Sequence, residues 1–463
     1  MSEINSQLSA DAGPAVDAGF RERLQAHLAT LSGKNVRLNA LVDVFTEDAL
    51  NQAQRLDEKH ARGESLGPLA GMTVSVKANI DVKGHVSTHG IRALQDNVVD
   101  QDAPLVARLR EADAVILGHA NMPDMSMRFH TASQLYGATQ NCIDASLTPG
   151  GSSGGDAVSV GSGMTTLGLG NDAGGSVRIP ASFAGVCALK PTTGRFASDR
   201  TMGRDLPFAA QVIPVDGLIA TTVTDLARAH QVFAGVDVRD PRSLPVAAYY
   251  MTPLRKRIAL VRDPGNGGVA EPVVAALARA EEILRRAGFD VVECQPPAFD
   301  KALELYGRLI MTEFSQSWPL LSQLVGDDVR RYLEFGLANT QLLTLREYIA
   351  AVAERMNVQR EWHTMLAQYD AILGPVFCER IPVIDADIVS KESNETCGRA
   401  MRLCSASSLV GVPAVSVSMR ESHSLPVGVQ FICAPFQETK ALTLARVLER
   451  QWLPDTTGRM SGI

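Results

Sequence analysis

The residues best suited to chemistry lie between Thr148 and Val186, in TPGGSSGGDAVSVGSGMTTLGLGNDAGGSVRIPASFAGV. Two glycine–serine clusters stand out, Gly150-Gly151-Ser152-Ser153-Gly154-Gly155 and Gly174-Gly175-Ser176. Glycine weakens regular structure, so clusters of it mark places where backbone turns sharply or approaches another group closely. A phosphate cradle of the P-loop kind needs GK[ST] after its glycines, whereas here Asp156 follows and would repel phosphate. No strand–GxGxxG–helix unit with a downstream acid is present, which removes the dinucleotide-binding reading. A GxSxG nucleophile elbow is also missing, because Gly175-Ser176-Val177-Arg178 lacks its final glycine. The plain alternative is a structural glycine turn. His85 and His89 stand four apart in HVSTHG, but in a loop and without an HExxH carboxylate, so they predict no metal site.

Such loops need elements to hold them. Apolar residues at helical spacing (Val16, Phe20, Leu24, Leu28, Leu31) predict a helix from Ala15 to Ser32, and residues 45–62 predict another. In GMTVSVKANIDV (71–82), Met72, Val74 and Val76 alternate with small or polar residues before a polar Asn-Ile-Asp, a strand running into a loop. Helix followed by strand recurs at 103–117 and 271–294, the second with Gly288 at the helix stop. RKRIALVRD, YDAILGPV and PAVSVSM read as further strands, and ETKALTLARVLERQW as a closing helix. This alternation predicts an α/β protein with a largely internal sheet. One domain over 1–463 is expected, with a flexible tail at 1–13 and a helical, irregular region at 300–400 that caps the site.

Composition narrows the function classes. The 463 residues are 45% hydrophobic and 21% charged, ordinary for a globular protein with a large core. A net charge of −7 offers no basic field for nucleic acid or an anionic membrane. The seven cysteines are scattered without metal-ligand spacing, as expected of free thiols in a reducing compartment. The polar opening MSEINSQLSADAG does not read as a signal peptide, and no window approaches 18 consecutive apolar residues. The expectation is a cytoplasmic protein.

The stretch GGSSGGDAVSVGSGMTTLGLGNDAGGSVRIPASFAGVCALKPT resembles the signature of the amidase signature family, serine hydrolases acting on carboxamides. LAGMTVSVKANIDVKG is similar to that family's strand bearing a catalytic lysine, and LREADAVILGHANMPD to its following helix–strand segment. SLVGVPAVSVSM and LPVGVQFICAPFQETKALTLARVLE resemble its C-terminal segment. The resemblance spans about residues 35–240 and 365–450, and implies a mixed, mostly internal sheet covered by helices on both faces. It also implies a Ser–cis-Ser–Lys triad, placing the nucleophile at Ser176, the relay serine after a cis peptide at Ser152, and the base at Lys77. Serine needs a neighbour to take its proton, and lysine can do so only when neutral. Its ordinary pKa of about 10.4 must therefore fall through burial or nearby cations. The family's oxyanion donors map onto the N–H groups of Ala173, Gly174, Gly175 and Ser176, and no cofactor is implied.

Other residues carry weaker expectations. Ser153 reads as a local hydrogen-bonding residue, Asp172 as a support for the oxyanion loop and Lys190 as structural. Arg178 is either an ion-pair partner, with Asp172 as the candidate, or a contact for a substrate carboxylate. Met125, Met127 and Phe129 would form an apolar, adaptable substrate wall. The chain departs from the family pattern at Asp156, where serine or alanine is usual, and at Asn171, where threonine or serine is usual. The expected activity is hydrolysis of a small-molecule amide to carboxylate plus ammonia or amine, with a homodimer as the one assembly considered. The alternatives are the amidase subunit of a tRNA-dependent amidotransferase and a non-catalytic amidase-like adaptor.

Overall fold

Strict alternation in β2 (Thr73–Lys77) sends Val74 and Val76 into one core and leaves Ser75 and Lys77 for the opposite face of the sheet. The same division of faces organises the whole chain. The computed structural model describes residues 19–199, 206–420 and 424–452, so the expected tail at 1–13 lies outside the described residues.

Among the described residues eleven strands form one mixed sheet. Besides β2 they are β1 (Leu41–Val44), β3 (Val115–Ala120), β4 (Leu167–Asp172), β5 (Cys187–Lys190) and β6 (Val215–Ala220). The second half adds β7 (Arg257–Leu260), β8 (Asp290–Glu293), β9 (Ala371–Pro375), β10 (Ala414–Met419) and β11 (Val427–Ile432). Their spatial order is β1-β3-β2-β4-β6-β5-β10-β11-β9-β7-β8. β3, β2 and β4 run parallel, as do β9, β7 and β8; the central pairs from β4 to β9 are antiparallel.

Helices cover both faces. Pro104–Glu111, Val223–Phe233, Glu271–Arg286 and Glu438–Trp452 lie on the side of Val74, Leu169, Leu218 and Phe431. Gly154–Gly161 and Arg178–Ala184 lie on the other, where Ala157, Val160, Val177 and Ala181 meet Ala188 and Ile219. Helices Phe299–Leu324, Leu345–Leu366 and Arg402–Val410 continue that layer, packing Ala302, Leu309, Trp362 and Ala406 against Ile372, Ala414 and Ile432.

Most expected elements appear with small shifts in their ends. The first helix runs Phe20–Leu38, beyond the expected stop at Ser32. Its buried residues Leu24, Leu31 and Leu38 recur every seventh position, while a Cβ on Gly33 would meet nothing within 4 Å, so that glycine does not interrupt the buried face. The 300–400 region is not a cap alone, because β9 inserts from it between β11 and β7.

The topology brings together the C-terminal ends of two neighbouring parallel strands. Val76 of β2 is in register with Leu169 of β4, so Lys77 ends β2 one residue short of the level of Asn171 near the end of β4, close enough for their side chains to meet. Crevices at such strand ends are where α/β sheets place their chemistry.

Candidate active site

Lys77 ends β2 with its side chain fully buried. Its Nζ donates to Ser152 Oγ at 2.7 Å and to Asn171 Oδ1 at 2.8 Å. Asn171 Nδ2 in turn donates to Asn79 Oδ1 at 3.0 Å, and Asn79 Nδ2 to Ser126 Oγ at 3.2 Å. The two asparagines therefore fix which way the Asn171 amide faces and hold the lysine head against Ser152.

Ser152 is 1% exposed, and the peptide Gly151–Ser152 is cis, as the resemblance led us to expect. Gly151 cannot be larger: a Cβ there would sit 2.4 Å from the Phe129 carbonyl oxygen. Thr131 Oγ donates to Gly150 O at 2.8 Å and completes the seat of this loop.

Ser176 differs from Ser152 in access, being half-buried where Ser152 and Lys77 are enclosed. The two serine loops are tied by Ser153 N–H donating to Ser176 O at 3.0 Å. Among the described residues Ser176 Oγ makes no hydrogen bond to Ser152 Oγ; the direct side-chain contact is between Ser152 and Lys77. Ser153 Oγ turns to the Asn171 carbonyl at 3.3 Å, the local role expected of it.

The second glycine cluster is shaped by close approach. Gly175 has φ 120°, and a Cβ there would lie 2.5 Å from Ile179 Cδ1. A Cβ on Gly174 would lie 2.2 Å from Tyr306 Oη, so the helix Phe299–Leu324 reaches the loop directly. One expected donor is corrected here. Gly175 N–H is already donated to Asp172 Oδ1 at 2.7 Å, which leaves Ala173, Gly174 and Ser176 as backbone donors without protein acceptors among the described residues.

Asp172 anchors this loop. It also accepts from Val177 N–H at 3.2 Å and pairs with Arg178, whose Nε and Nη2 reach its two oxygens at 2.9 Å each. Burial alone would push the Asp172 carboxyl up, but the Arg178 charge and hydrogen bonds overcome it and hold it at about 2.

Arg178 as a substrate contact is likewise corrected. It is fully buried, and its remaining N–H groups go to Ser407 Oγ, Gln430 Oε1, Ser408 Oγ and the Cys404 carbonyl, leaving none for a ligand. Arg178→Ala should strand a buried carboxylate and destabilise the fold by about 3–5 kcal/mol in urea unfolding at neutral pH. The stabilisation is complete above the ordinary carboxyl value near 4 and disappears as pH falls toward 2. A variant as stable as wild type, with only a raised KM, would return Arg178 to the substrate.

Of the expected apolar wall, Phe129 is 4% exposed, stacked on Phe377 at 5.4 Å and edge-on to Phe183 at 6.1 Å, supporting the Gly151 loop from beneath. Met125 and Met127 are half-buried and pack against Val325, Val329, Leu333 and Tyr332 of the 300–400 region. Met125 and Ser126 take positive φ values of 54° and 61°, so the turn that meets this helical layer also carries the end of the Lys77–Asn171–Asn79 chain. Lys190, the second buried lysine, donates to the carbonyls of Pro191 and Val412. His85 stacks on Phe45 at 3.4 Å, and no group of three or more metal-ligating side chains occurs among the described residues.

Asn79, Asp156 and Tyr306 join the site without having been singled out as site residues from sequence. Asp156 and Asn171 were visible only as departures, and nothing local marks Tyr306, which arrives from a helix 130 positions downstream of Ser176.

The chain can now be set beside known proteins. It is 32% identical to an indoleacetamide hydrolase of Bradyrhizobium diazoefficiens, over 93% of this chain and 83% of that protein. It is 35% identical to a glutamyl-tRNA(Gln) amidotransferase subunit of Deinococcus radiodurans, over 96% and 97% respectively. The solved structure of 6-aminohexanoate cyclic dimer hydrolase with its substrate superposes with a TM-score of 0.80 at 25% identity, covering 94% of each chain. The Amidase family model matches residues 22–442, and the chain belongs to that family.

Proposed function

We propose that this amidase is a stand-alone hydrolase that cleaves a carboxamide through an acyl-enzyme on Ser176. The observation that carries the reading is the 2.7 Å contact between buried Lys77 Nζ and Ser152 Oγ, with the half-buried Ser176 tied to the neighbouring Ser153 by a backbone hydrogen bond. Ser176 Oγ attacks the amide carbonyl while its proton passes to Ser152 and the Ser152 proton to the neutral Lys77 amine. As an ammonium Nζ donates along its contact with Ser152; in the neutral amine the lone pair takes that place while Asn171 still accepts an N–H. Catalytic hydrogen bonds often tighten only when substrate is bound, and the Ser176–Ser152 step is of that kind. The Ala173, Gly174 and Ser176 N–H groups receive the negative charge on the tetrahedral oxygen. Return of the proton by the same route releases ammonia or amine, and water activated in the reverse sense frees the carboxylate.

Met125 and Met127 pack on Val325, Val329 and Leu333, and Ser126 between them is hydrogen-bonded to the Asn79–Asn171–Lys77 chain; we read these soft side chains as favouring an acyl group with an apolar or aromatic end. A panel of primary amides should therefore show faster ammonia release from indoleacetamide and phenylacetamide than from acetamide. Equal or slower release from the arylacetamides would remove this substrate class. The amidotransferase-subunit reading retains support from the 35% identity to such a protein, and co-purification of a stoichiometric partner would favour it. A net charge of −7 supports a small-molecule substrate over a tRNA partner, and seven free cysteines support a cytoplasmic setting. A homodimer fits the same reading. No helix among the described residues is long and apolar enough to cross a membrane.

A further inference from the structure

Asp156 is a buried carboxylate that the mechanism above does not use. It lies in helix Gly154–Gly161, at a position where the family pattern has serine or alanine, and it is fully buried. Oδ1 accepts from Ser75 Oγ at 2.8 Å, whereas Oδ2 has no hydrogen-bond partner among the described residues. The carboxylate is wedged between β2 and β4, since a Cβ on Gly168 would lie 2.9 Å from Asp156 Cβ. Ser75 and Lys77 are two apart on β2 and share a face, so the group that holds Asp156 sits directly before the lysine.

A buried carboxylate with an unmet oxygen is unfavourable unless a cation answers it. The charged groups on the surrounding elements leave one candidate. On β4, Asp172 is neutralised by Arg178 of the adjoining helix; on β6, Asp216 is hydrogen-bonded by Ser198. On β3, burial pushes His119 down to about 4 and keeps it neutral, and on β1 Asp43 is itself an acid at the sheet edge. Lys77 is the cation whose charge acts on Asp156.

We propose that Asp156 is the buried counter-charge of Lys77, a positioning residue that sets the pH at which the lysine becomes a free amine and steadies the ammonium formed during acylation. The inference rests on Lys77 being the base. Burial pushes the Asp156 carboxyl up to about 7 despite the Ser75 hydrogen bond and the Lys77 charge, so Asp156 changes charge near neutrality. An ionised Asp156 favours the ammonium and delays release of the amine to higher pH.

The test is the acid limb of kcat/KM. Asp156→Asn keeps an acceptor for Ser75 but removes the charge, and its limb should move to lower pH by about one unit or more. Asp156→Ser should do the same with a smaller side chain. Ser75→Ala, which makes Asp156 harder to ionise, should shift the limb in the same direction by less. A limb within about 0.3 unit of wild type in the folded variants would overturn the proposal, because an effect on packing alone lowers rates without moving a titration. Lys77→Ala in the same series separates the failures. An inactive Lys77→Ala with an unmoved limb rejects the role of Asp156 alone, and an active Lys77→Ala rejects the base and its counter-charge together.

Discussion

Lys77→Ala is expected to lower kcat by a factor of about 10² to 10⁴, the usual worth of a positioned general base. The hydroxyl of Ser176 would remain, as would the proposed oxyanion donors, so a residual rate above the uncatalysed reaction should persist. Lys77→Arg should be as inactive, because a guanidinium preserves the positive charge but holds its proton throughout the accessible range. The two variants together distinguish a base from a mere cation. With wild type, rates should rise with pH along the acid limb as the amine is freed. Retention of more than about a tenth of wild-type kcat by Lys77→Ala, a loss under about 1.4 kcal/mol, would show that the proton goes elsewhere.

The parts of this site that could be read from sequence are those where a residue type has one physical use. Glycines at 151, 174 and 175 are each required by a close approach that a Cβ would block, which is why the clusters are conspicuous. Val74 and Val76 alternate with Ser75 and Lys77 because β2 separates a core face from a site face. β5 and β6 gave no such signal: both are buried along their whole length, so CALK and VDGLIA show no alternation. The direction of a polar group was less legible than its presence. Arg178 offers the same fork to a ligand or to Asp172, and only the fold turns it inward onto Ser407, Ser408 and Gln430. Gly175 looks like Gly174 in sequence, yet its N–H is consumed by Asp172. Asn79 and Asp156 act through contacts with residues far along the chain, 92 and 81 positions from their partners Asn171 and Ser75.

Ser176→Ala should abolish covalent labelling by a fluorophosphonate, while Ser152→Ala should slow labelling and leave the adduct on Ser176. Both serines stand in glycine-rich loops, so the ranking comes from access and neighbours. Ser152 is 1% exposed with its hydroxyl accepting from Lys77, the place of a relay, and an electrophile has no path to it. Ser176 is half-buried and its own N–H is free of protein acceptors among the described residues, so attack and oxyanion stabilisation can share one residue. Turnover should follow the same order. On the proposed mechanism Ser176→Ala removes the atom that carries the acyl group, and kcat should fall by about 10⁴ or more; Ser152→Ala leaves the proposed nucleophile but breaks its path to the base, and should cost about 10² to 10⁴. Peptide mapping of the labelled wild type decides between them. An adduct on Ser152 would exchange the two roles, and a folded wild-type protein that takes no label and hydrolyses no amide would make the chain an adaptor that has kept the site without its chemistry.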